Sequence, residues 1–230
     1  MIFLAFSYIF AYLTAPFAHA SEISIHEDPL AGAVFFGEST TTHLRSRGGI
    51  PSTRVWANES GTMRLDSAIL SRTVTDGQTQ EQLSVGEMIS NTRPPLLVLS
   101  FGLNGIVAFS ENRDSYLGSY KKLILGIQQR SPETRIVIQS VYPVAKEDLQ
   151  LDWHFSCSPS EINQRITRLN GWLRDLCAST DGVFYADTAT ALKDPLGYLK
   201  PEFTTDGIHL TESAYREILS ALPSELSKAE

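Results

Sequence analysis

Apolar positions along the chain follow two alternating patterns. Short, nearly continuous apolar runs occupy residues 31–36, 95–101, 136–141 and 183–186, with a weaker run at 54–57. Runs of this length, bounded by turn residues, predict strands buried on both faces. Between them, residues 115–130, 158–178 and 212–222 repeat their apolar side chains at the spacing of a helix. In the second of these, Ile162, Ile166, Leu169, Leu173 and Leu176 fall on one face. Its start is marked too: Ser158 can cap, Pro159 fits the first turn and Glu161 completes a capping box. Buried strands separated by helices predict an α/β protein with a parallel sheet covered on both sides. One three-layer α/β/α domain then accounts for residues 21–230. Neither an internal repeat nor a low-complexity tract suggests a second domain.

Residues 1–20 stand apart. They carry no charged side chain and end in Ala18-His19-Ala20, the small-residue pattern of a signal-peptidase site. No Lys or Arg precedes the apolar run. The alternative is an uncleaved anchor, since the run to Ala18 is just long enough to cross a bilayer, although Pro16, Ser7 and Thr14 interrupt it. The expectation is a signal peptide and a secreted or extracytoplasmic protein, with membrane contact only if the segment is retained.

Composition removes several function classes. With 42% hydrophobic and 20% charged residues the chain is ordinary globular material. A net charge of −7, with Arg45-Ser46-Arg47 as the longest basic cluster, excludes a nucleic-acid footprint. Cys157 and Cys177 sit at opposite ends of one predicted helix, about 30 Å apart at roughly 1.5 Å per residue. A disulfide needs Cα atoms within about 7 Å, so two free thiols are expected. No Cys/His spacing suits a metal.

In parallel sheets, ligands gather beyond the carboxyl ends of the strands. Ser39 follows the first run, within Phe36-Gly37-Glu38-Ser39. Asn104 follows the third, within Gly102-Leu103-Asn104-Gly105, and Asp206-Gly207-Ile208-His209 precedes the last helix. Singly these read as a helix cap, a turn residue and a turn dipeptide. Together they fit acyl transfer. A serine hydroxyl needs an imidazole to take its proton, and the imidazole needs a carboxylate on its other nitrogen. The oxyanion needs fixed donors, for which the Ser39 N–H, the Asn104 amide and the Gly61 N–H are candidates. His43, four residues after Ser39, is a second imidazole but has no carboxylate partner by motif. Trp56, Trp153, His154 and Phe155 are candidates for substrate contact, the last three in the long segment 142–157. Packing against the sheet edge is their alternative.

These segments resemble the SGNH (GDSL-like) hydrolases. Phe36-Gly37-Glu38-Ser39 is similar to the block carrying the family's nucleophile, and Ser60-Gly61-Thr62 to the block supplying its glycine. Gly102-Leu103-Asn104-Gly105 matches the Gly-x-Asn block, and Asp206-Gly207-Ile208-His209 the Asp-x-x-His block. All four occur in family order across nearly the whole mature chain. Glu38 and Gly105 depart from the Asp usual at those two positions, and neither position performs the family's chemistry. The Gly-x-Ser-x-Gly elbow of the α/β-hydrolases is absent. The resemblance implies a flavodoxin-like α/β/α sandwich and ester hydrolysis by Ser39, His209 and Asp206. Ser39, Gly61 and Asn104 would form the oxyanion hole, with no cofactor. The family includes lipases, thioesterases and carbohydrate deacetylases. Export and loop aromatics point to a carbohydrate O-acetylesterase acting on a small-molecule or glycan ester. A lipase or lysophospholipase, and an inactive glycan-binding module of the same fold, are the alternatives. The oligomeric state is left open.

Overall fold

The computed structural model describes residues 28–147 and 157–228. In chain order the elements begin β1 (Ala33–Gly37), α1 (Ser39–Thr42), β2 (Val55–Trp56), β3 (Thr73–Thr75), β4 (Gln82–Ser84), α2 (Val85–Thr92) and β5 (Leu96–Ser100). They continue with α3 (Ile106–Glu111), α4 (Arg113–Arg130), β6 (Arg135–Gln139), α5 (Pro159–Ala178), β7 (Val183–Ala186) and α6 (Glu212–Ser227). The main sheet has the order β2-β1-β5-β6-β7, and every pairing in it is parallel. This is the flavodoxin-like order. The chain steps outward from β1 to β2, then returns to the other side of β1 to lay down β5, β6 and β7. Loops leaving β1 and β5 therefore part in opposite directions and open a crevice at their carboxyl ends.

The strands read as continuous apolar runs because both of their faces are covered. In β1, Val34 and Phe36 enter one core while Ala33 and Phe35 enter the other. The first core is closed by side chains of α2, α4 and α5, the second chiefly by α6. Each large aliphatic or aromatic side chain so buried contributes about 1.5–3 kcal/mol relative to exposure. Helix α4 is also fastened to the sheet end nearest the crevice. The buried hydroxyls of Tyr116 and Tyr120 both donate to the carbonyl of Phe101, at 3.1 and 3.0 Å.

Helix α5 begins as its sequence predicts, with Ser158 and Glu161 forming a reciprocal capping box. Cys157 and Cys177 are free, as expected from their placement at its two ends. Helix α6 differs: it passes through Pro223 and ends at Ser227, beyond the predicted stop at 222. Proline removes one helical N–H, yet Leu222 and Leu226 are both buried, so the apolar stripe carries the helix past it. The β3–β4 hairpin, α2 and α3 were not predicted. Among the described residues no helix is long and apolar enough to cross a membrane. Residues 1–20 lie outside the described residues.

Candidate active site

Strand β1 delivers the chain to the crevice, and Glu38 turns it into the single-turn helix α1, of which Ser39 is the first residue. Ser39 is half-buried, and its N–H has no partner among the described residues. The Glu38 side chain points back into the protein and is only 3% exposed. One carboxylate oxygen accepts the Leu103 N–H at 2.8 Å and the other the Asn104 N–H at 2.9 Å. A single carboxyl thus clips the loop after β5 to the loop after β1. Burial pushes that carboxyl up to about 7, against the pull of the Asn104, Leu103 and Gly102 N–H groups.

The second half of the site is one compact turn. One oxygen of Asp206 accepts the N–H groups of Ile208 (2.9 Å) and His209 (2.7 Å). The other lies 2.6 Å from His209 Nδ1. The Asp-x-x-His spacing places carboxylate and imidazole edge to edge because the aspartate has already tied down the backbone between them. Desolvation opposes ionisation of Asp206, but the His209 ring and the two N–H groups prevail and bring the carboxyl down to about 2. Asp206 is therefore an anion at any ordinary pH. It fixes Nδ1 as the protonated nitrogen and leaves Nε2 as the basic one. Ser39 and His209 line the same cavity, of about 420 Å³, together with Gly61, Leu103 and Asn104.

Gly61 closes over the serine. Its φ is +65°, and a Cβ placed on it would sit 3.0 Å from Ser39 Cβ and 3.1 Å from Ser39 Cα. Only a residue without a side chain fits that conformation and that approach. The three expected oxyanion donors differ in their present engagement. The Gly61 N–H donates to the Asn58 carbonyl at 3.1 Å. The Asn104 amide nitrogen donates to the carbonyls of Gly61 and Met63, both at 3.0 Å. Asn104 thereby pins the glycine loop to the loop after β5.

The remaining candidates separate cleanly. His43 stacks edge-on against His209, with ring centroids 5.1 Å apart. Its Nδ1 is buried without a hydrogen-bond partner. Desolvation first, then the charges of Arg47 and His209, bring its pKa down to about 4 despite Asp206. It is a neutral neighbour of His209 at physiological pH. Trp56 is corrected: it is 0% exposed, in register with Phe36, and its side chain is part of the core. The β2–β1 pairing turns it inward, away from any substrate. Trp153, His154 and Phe155 lie outside the described residues. Two residues of the site had not been singled out by sequence. Glu38 was noted only as a departure from a motif, and Arg64, on the cavity wall, had no motif signal. Among the described residues no group of three or more His, Cys, Asp or Glu could hold a metal.

The model of the GDSL-like Lipase/Acylhydrolase family matches residues 35–217. Among curated proteins none matches. A protein from Streptococcus pneumonia, provisionally named a platelet activating factor, superposes with a TM-score of 0.62 at 19% identity, covering 89% of this chain and 86% of its own. A provisionally assigned SGNH hydrolase from Slackia heliotrinireducens gives 0.60 at 18% identity, covering 84% and 97%. A carbohydrate esterase of family 3 from Talaromyces cellulolyticus gives 0.50 at 15% identity, covering 86% and 96%. At these identities the structural matches establish the fold. The family match extends from within β1 into α6 and so takes in the Ser39, Gly61, Asn104 and Asp206–His209 segments. With its fold and that match in agreement, the chain belongs to the GDSL-like lipase/acylhydrolase family of ester-hydrolysing enzymes.

Proposed function

We propose that the protein is an exported serine esterase that removes small acyl groups, acetyl above all, from acylated carbohydrate. The observation that carries this reading is the convergence of Ser39 and the Asp206–His209 pair on one cavity, with Nδ1 of His209 committed to the carboxylate at 2.6 Å. His209 Nε2 takes the Ser39 proton as Oγ attacks the acyl carbonyl. The resulting oxyanion meets the Ser39 N–H first. The Gly61 N–H and the Asn104 amide join by sharing their present carbonyl partners. His209 then protonates the leaving alcohol, and water, activated by the same imidazole, releases the acid from Ser39. Among the described residues no hydrogen bond joins Ser39 Oγ to His209, and such contacts commonly tighten when substrate enters.

The cavity lining supports a small acyl group and a hydrophilic alcohol. Ser60, Thr62, Arg64 and Asn104 contribute to it, and Leu103 is its one aliphatic side chain. Among the described residues, Leu103 is the only aliphatic side chain this lining offers a long acyl chain. The name of the family 3 carbohydrate esterase is in keeping with that substrate class, and the apolar segment at residues 1–20 with export. The test is hydrolysis of p-nitrophenyl acetate by the protein, Ser39→Ala and His209→Ala, alongside p-nitrophenyl decanoate and an O-acetylated polysaccharide. Turnover that falls about a thousandfold or more in both variants, with acetate preferred to decanoate, supports the reading. Wild-type rates no higher than those of the variants would overturn it.

A further inference from the structure

Next to the Ser39 cavity lies a second one, also of about 420 Å³, and the two share Thr62 and Arg64 as their common wall. Arg64 is exposed and enters no ion pair among the described residues. Asp66, whose carboxyl the Arg64 charge helps to lower, already carries the guanidinium of Arg72 in an ion pair. Arg64 is instead held against an aromatic face: its guanidinium lies over the Phe109 ring, 5.6 Å from the centroid. Its Cδ occupies the space where a side chain at position 105 would begin, since a Cβ on Gly105 would come within 2.7 Å of it. The Gly-x-Asn block of this chain thus ends in a residue that makes room for the arginine.

We infer that Arg64 is a specificity residue that receives an anionic group, a carboxylate for choice, on the alcohol portion of the ester. This rests on the esterase reading above, in which the acyl group is small and the alcohol must extend out of the Ser39 cavity. Arginine presents a planar fork that matches a carboxylate. On a protein of net charge −7 an acidic substrate is otherwise repelled, so an exposed cation at the cavity wall changes which alcohols can dock.

The experiment uses the full chain and matched esters: neutral phenyl acetate against 3- and 4-acetoxybenzoate, whose leaving groups carry a carboxylate. It reads the ratio of kcat/KM, anionic to neutral, for wild type, Arg64→Gln, Arg64→Lys and Lys121→Gln. Lys121→Gln, at an exposed position of α4 that lines neither cavity, removes one positive charge away from the site. The ratio for the better acetoxybenzoate is expected to fall about tenfold or more in Arg64→Gln and to recover partly in Arg64→Lys. In Lys121→Gln it stays within twofold, and in wild type it shrinks in 0.5 M salt. Binding of 3- and 4-hydroxybenzoate, followed by calorimetry, gives a reading independent of turnover. It is expected in wild type and lost in Arg64→Gln. If no ester is hydrolysed, the esterase reading fails, and this binding alone decides the role of Arg64. A ratio within twofold of wild type in Arg64→Gln, or hydroxybenzoate binding that is absent from wild type or kept in the variant, overturns the inference.

Discussion

Glu38 offers the sharpest quantitative test of the site's architecture. Its carboxyl is 3% exposed, accepts two backbone N–H groups from the loop after β5, and is pushed by burial from 4.5 to about 7. The folded protein therefore holds this proton more tightly than the unfolded chain does. Its contribution to stability is complete below pH 4.5 and is lost as the pH rises through about 7. The gap from 4.5 to about 7, at about 1.4 kcal/mol per pH unit, is worth on the order of 3 kcal/mol. Glu38→Gln removes the titration while keeping the volume. Its amide nitrogen faces one of the two N–H donors, which costs about 1–3 kcal/mol at every pH. That constant cancels when the difference between the two proteins is followed against pH. Urea unfolding of both at intervals from pH 4.5 to 8 should show wild type losing about 3 kcal/mol relative to Glu38→Gln. All other carboxylates titrate alike in the two proteins and drop out. A flat difference would refute the reasoning, because it would mean that the two N–H bonds fully offset burial and leave an ordinary carboxylate.

Three further outcomes follow from the same geometry. Gly61→Ala forces a side chain into φ +65° and against Ser39 Cβ at 3.0 Å. It should lower kcat on p-nitrophenyl acetate by about tenfold or more, with about 1–2 kcal/mol of strain visible in urea unfolding; an unchanged kcat would contradict the close approach. His43→Phe keeps an aromatic edge against His209 and should retain activity within about tenfold, whereas His209→Ala loses about a thousandfold or more. The reverse order would make His43 the base. Without reductant, the unfolded protein should yield two thiols to a disulfide reagent. In the folded protein Cys177, whose thiol burial pushes up to about 12, should stay silent. Finding no free thiol would show a bridge.

The sheet and the site were legible where the sequence carried a local cause. Five apolar runs marked the five strands of the main sheet because helices and loops cover both of its faces, and the capping box at Ser158 marked α5 because the bonds are made within one turn. The Asp206–His209 pairing was legible for the same reason, since three residues of spacing suffice to close it. What escaped depends on distant partners. The segment 73–92 holds strands of only three residues each and a helix of eight, too short for a periodic signal. Its capping box, Ser84 with Glu87, was nonetheless present in the sequence. Trp56 was misjudged because an aromatic on a two-residue strand shows nothing of which way the sheet will turn it. Glu38 and Arg64 take their roles from Leu103, Asn104 and Gly105, residues about forty to sixty-five positions away. No local pattern reports a clip or a vacancy of that kind.

Covalent labelling asks directly whether Ser39 is a nucleophile activated by the His209–Asp206 pair. The protein, Ser39→Ala and His209→Ala would be incubated with a fluorophosphonate, digested, and the modified residue located by peptide mass spectrometry. One adduct is expected, on Ser39, absent from Ser39→Ala and formed far more slowly in His209→Ala. An unlabelled wild type, or an adduct that persists in Ser39→Ala, would contradict it.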